Sequence, residues 1–143
     1  MKRLLSTCLV ALLATAPVVL VVGQAAAMQN IKCMPKERLM VQKLAEQGEK
    51  LGGLLDKAAE AVEAEEKFDL KSVFKQGKAL VNQSQAFAKK VETPALRKQM
   101  AAFGEKLSGA LEGVKRARDG KARVEALRQV GAVITAGIGP RER

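Results

Sequence analysis

The chain has 143 residues and carries 25 Lys and Arg against 15 Asp and Glu, a formal net charge of +10, which leaves room for one small domain and not two. It has no His, Trp or Tyr and only two Cys, which excludes imidazole metal sites, zinc sites of ordinary spacing and Ser/His/Asp catalysis. With no aromatic residues interleaved among its bases to stack on nucleobases, it has no nucleic-acid signature either.

Residues 1–27 have the form of an export signal that is cleaved. Lys2 and Arg3 make the positive start, Leu4 to Val22 is apolar apart from Ser6, Thr7 and Thr15, and Ala25, Ala26 and Ala27 supply small residues before a cleavage point. An uncleaved membrane anchor is the alternative, and Pro17 inside the run argues against it. Residues 28–143 then form a single domain, expected in the periplasm. Cys8 leaves with the signal, so Cys33 is the lone thiol of the exported chain and has no internal partner.

The first helix is expected to begin near Pro35, since a first helical turn has no use for the missing proline N–H. Val41, Leu44, Gly48, Leu51, Leu55, Ala58 and Val62 step 3 and 4 residues apart, which places them on one stripe. Gly52-Gly53 in mid-run allows a bend or a close neighbour, with a break into two helices as the alternative. Asp69 is the expected cap of a second helix reaching about Val91, whose seam is Leu70, Val73, Gly77, Leu80, Ser84, Phe87 and Val91, widened by Phe74, Val81 and Ala88. Thr93 and Pro94 open the third, with Leu96, Met100, Phe103, Leu107, Ala110, Val114 and Ala117 as its seam and Gly120 as its stop. The fourth follows Gly120, with Val124, Leu127, Gly131, Ile134 and Ile138 flanked by Val130 and Val133, and ends at Gly137, Gly139 and Pro140. Four amphipathic helices with short connections predict an all-α, up-down-up-down antiparallel four-helix bundle.

Charge is unevenly spread. Residues 36–66 hold eight acids and five bases, whereas 67–143 hold 17 bases and seven acids. An acidic first helix beside basic neighbours explains this, and so does attraction to an anionic membrane surface or an acidic protein. Met28, Cys33, Met34 and Met40 place four sulfurs within thirteen residues, a soft set that suits Cu(I) or, equally, gap-filling in a helical core.

Thr93-Pro94, Phe103 and Asp119-Gly120-Lys121 together make the chain similar to the third helix and following turn of the soluble cytochrome b562 family, over about 30 residues and more loosely beyond. The resemblance implies export, four helices in this order, and haem b held near one end of the bundle between a Met on the first helix and a His near the end of the fourth. Met34 and Met40 are the cofactor-binding candidates it implies on the methionine side. The histidine position falls around Ile138-Gly139-Pro140, where no histidine stands, so the chain departs from the family at the ligand that defines it. The expectation is therefore an exported, non-enzymatic bundle without classical His/Met haem, with no catalytic residue and no resident metal or cofactor, binding an unknown protein or an apolar ligand. A periplasmic b-type electron carrier with unusual haem ligation and a basic envelope-associated protein are the alternatives.

Overall fold

The computed structural model describes residues 27–139. The expected signal therefore lies outside the described residues except for Ala27. A single 3-10 turn at Met28–Asn30 leads into α1 (Pro35–Glu63), α2 (Lys71–Ala88), α3 (Pro94–Arg116) and α4 (Gly120–Gly137). Each helix packs against the next and α4 returns against α1, which closes the ring of an antiparallel bundle; α2–α3 is the broadest interface and α1–α2 the thinnest. Among the described residues no helix is long and apolar enough to cross a membrane.

The stripes read from spacing form the core. Val41, Leu44, Leu51, Leu55 and Ala58 of α1 meet Val73 and Leu80 of α2, Leu96, Met100, Phe103 and Leu107 of α3, Leu127 and Ile134 of α4, and Ile138 just beyond it in one buried cluster. Burial of such side chains contributes about 1.5–3 kcal/mol each relative to exposure, which is why the seams decide the fold. Two buried polar groups tie neighbouring helices through backbone carbonyls. Ser84 Oγ donates to the Met100 carbonyl at 2.7 Å, and Gln99 Nε2 donates to that of Gly137 at 3.3 Å.

Boundaries elsewhere differ from the expectation for local reasons, while α1 runs unbroken through Gly52-Gly53 as expected, with Gly52 buried in the bundle. It ends in a Schellman motif with Glu65 in the left-handed region at φ 59°, where the Glu66 amide donates to the Ala61 carbonyl and the Glu65 amide to that of Val62. Asp69 acts one residue ahead of the α2 cap, accepting from the Lys71 amide at 2.9 Å. α2 stops at Ala88, and Arg97 donates back to the Val91 carbonyl across the turn. α3 closes at Arg116, since Ala117 takes extended backbone. Gly120 begins α4 instead of ending α3, because Asp119 caps α4 by accepting from the Ala122 amide at 2.8 Å.

Candidate functional site

Two regions of the bundle bear on function: the end where the helix-one and helix-four ligands of a b-type site would meet, and a lysine-rich flank.

That end is filled by the chain itself. Met28 is fully buried and the Gln29 amide donates to the Ile138 carbonyl at 3.1 Å, so the turn before α1 lies across the end of α4. Arg38 fastens the same segment by donating to the Gln29 and Ile31 carbonyls, each at 2.9 Å. Beneath it, Phe103 presses on Gly137 so closely that a β-carbon there would collide with the ring. Ile134 and Ile138 lie similarly against Gly48. Gly139 packs its backbone on the Gln29 side chain at φ 138°, a conformation that favours glycine.

Met34 sits at the N-cap of α1 and Met40 lies half-buried against the core, as does Cys33. At the end of α4, Ile138 and Gly139 offer no nitrogen or sulfur side-chain ligand. A His/Met pair for haem b therefore does not fit the residues present. The sulfur group suggested for Cu(I) is divided in burial, with Met28 taken fully into the hydrophobic core while Cys33, Met34 and Met40 stay at its edge. Among the described residues, no three His, Cys, Asp or Glu side chains come close enough to hold a metal ion.

The polar centre of this end is Glu37, fully buried and not anticipated as a site residue. Its carboxylate accepts from the Met34 amide at 3.1 Å, from the Thr93 hydroxyl at 2.6 Å, and from the amides of Glu92 and Thr93. One carboxylate thus caps α1 from inside its first turn and also the start of α3, where both helix dipoles favour negative charge. The Thr93 hydroxyl bond holds the Glu37 pKa down to about 2 from 4.5, with the three amide donors acting in the same direction and burial against it. A glutamate two residues after Pro35 was the available signal. Its second role could not be read, because the partners at Glu92 and Thr93 lie more than fifty positions away.

The second region is charged. On α2, Lys71, Lys75 and Lys78, with Lys89 just beyond it, occupy one exposed stripe opposite the buried seam, and α2 contains no acid. On α1, Lys36, Lys43, Lys50 and Lys57 recur every seven residues and all are exposed. A step of seven drifts only about 20° on a straight helix, so these four form a near-continuous line. The acids Glu49, Asp56 and Glu63 recur at the same interval on the other flank, beside α4. There a surface groove of about 710 Å³ runs between α1 and α4 over Gly52, Leu55, Ala59 and Gly131, and on its rim Arg128 pairs with Glu63 at 3.0 Å. Asp56, Glu60 and Glu63 thus stand toward α4, whereas Glu46 lies within one turn of Lys43 and Lys50, beside the lysine line. Charge totals over residues 36–66 concealed this arrangement, although the seven-residue spacing was there to be read.

Comparison of the chain with protein-family models, with curated proteins and with solved structures finds no match. The likeness to the cytochrome b562 family accordingly rests on Thr93-Pro94, Phe103 and Asp119-Gly120-Lys121 alone.

Proposed function

We propose that this chain is an exported, non-enzymatic binding module that works through its surface, engaging an anionic partner with the lysine flank of α1 and α2. The observation that carries the reading is the outer face of α2, where Lys71, Lys75, Lys78 and Lys89 stand exposed with no acid on the helix to neutralise them. Most surface charge in small proteins is mixed in sign, so a one-sign face of this length concentrates the electrostatic field. The filled bundle end supports a surface role over an apolar ligand or cofactor held in the core. Export rests on the basic start, apolar run and alanine-rich end of residues 1–27.

Two charge-reversal variants of equal net charge test this reading against soluble dextran sulfate. Reversing Lys71, Lys75 and Lys78 to Glu should weaken binding by about 100-fold, at roughly 1 kcal/mol for each lysine near an anionic surface. Reversing Lys98, Lys106 and Lys121, which are exposed on α3 and α4, should cost far less. Equal losses would mean that only overall charge matters and that α2 is not the binding face.

A further inference from the structure

We infer that the anionic partner is a phospholipid bilayer and that Leu39 inserts into it. This step rests on the lysine-flank reading above and adds the occupant and its anchoring residue.

Leu39 is 61% exposed and is the one large hydrophobic side chain among the described residues that stands open to solvent. It lies on α1 within one turn of Lys36 and Lys43, on the same flank as the lysine line. Lys89 and Lys90 approach this end of the bundle from the turn after α2, which is joined to α1 by the Lys36–Glu92 ion pair at 3.3 Å and by the Glu37 bonds. An isolated exposed leucine is ordinary on a protein surface; one flanked along its helix by Lys36 and Lys43 has the pattern of an interfacial anchor. The lysine stems lie along apolar material while their ammonium groups stay among phosphates, leaving the leucine between them to enter the acyl boundary.

The type of base favours a surface of mobile anions over anions held in a fixed array. The flank is built from lysine, a flexible point charge that sets no geometry on its partner and so suits mobile headgroups, whereas carboxylates or phosphates held in place are matched best by the planar fork of arginine. Arg38, the arginine nearest Leu39 in sequence, is turned to the Gln29 and Ile31 carbonyls. The surface beneath Leu39 is also firm, because the buried Glu37 and the Arg38 bonds hold the start of α1 to the α2–α3 turn and to the segment before it. A preorganised anchor inserts without first having to be ordered.

The protein has no Trp or Tyr, so a Leu39→Trp variant carries a single fluorescent reporter at the proposed point of entry. The exported chain, purified as the cell delivers it, is mixed with vesicles of phosphatidylglycerol and phosphatidylcholine, with vesicles of phosphatidylcholine alone, and with soluble polyglutamate. The expected result is a blue shift, and quenching by brominated acyl chains, on the anionic vesicles only. Leu39→Ser should weaken binding to those vesicles about tenfold and leave polyglutamate binding unchanged. Vesicle co-sedimentation without a blue shift would place residue 39 in water and overturn the inference while the lysine flank stands. Binding to polyglutamate without binding to vesicles would assign the flank to an acidic protein. Failure to bind any anionic probe would remove the proposed function along with the inference.

Discussion

Glu37 concentrates more of the structure on one side chain than any other residue. Its carboxylate joins the first turn of α1 to the residues ahead of α3, and its pKa in the fold, about 2, lies below its unreacted value of 4.5. The charged form is therefore the one the fold prefers. Its contribution to stability is complete above pH 4.5 and is lost progressively as pH falls toward 2, where the folded carboxylate finally accepts a proton. Melting temperature measured across that window should fall steeply for the natural chain and much less for Glu37→Gln, which is already destabilised at neutral pH. Parallel curves for the two proteins would show that another carboxylate governs acid unfolding.

At the scale of the helix, glycines divide by what stands opposite them. Gly137 faces the buried ring of Phe103, so Gly137→Ala should cost about 1–3 kcal/mol by overpacking. Gly109, in the exposed middle of α3, has open space around it, and Gly109→Ala should add about 1 kcal/mol by helix propensity alone. Thermal melts of the two variants should move in opposite directions, by several degrees each. A stabilised Gly137→Ala protein would mean that α4 does not approach α3 as closely as described. The sequence pattern treats these residues alike, because a glycine on a helix looks the same whether it admits a neighbour or meets only solvent. Gly131 makes the same point, being placed on the α4 seam by its spacing although nothing lies within contact of its missing β-carbon.

At the scale of the whole molecule, the turn at Met28–Asn30 closes the end of the bundle. Met28 is as deeply buried as any residue of the helices, so Met28→Ala should cost about 2–5 kcal/mol in denaturant unfolding, in the manner of a core truncation. A loss under about half a kcal/mol would mean that this turn only rests on the surface. The same closure bears on the cofactor question. Protein purified from haem-supplied cells should show no stoichiometric haem absorption, and an absorption that disappears on replacing Met34 or Met40 would overturn the surface-binding proposal. The lysine flank also belongs to this scale, since it takes lysines from both α1 and α2, two helices that pack against each other.

From sequence alone came the all-α class, the four helices in order and most of the buried apolar positions of the helices (though not Leu111), because a 3-and-4 residue spacing is enforced within one helix and needs no knowledge of its neighbours. The connections were read less well. Gly120 changed from stop to start because Asp119 was free to cap the following helix, a competition between two local signals that sequence does not rank. The Glu37 bonds to Thr93, the passage of the Met28 turn over Ile138 and the pairing of Glu63 with Arg128 were decided by tertiary structure. Each depends on groups far apart in the chain meeting across an interface, and a one-dimensional pattern carries no distance between them.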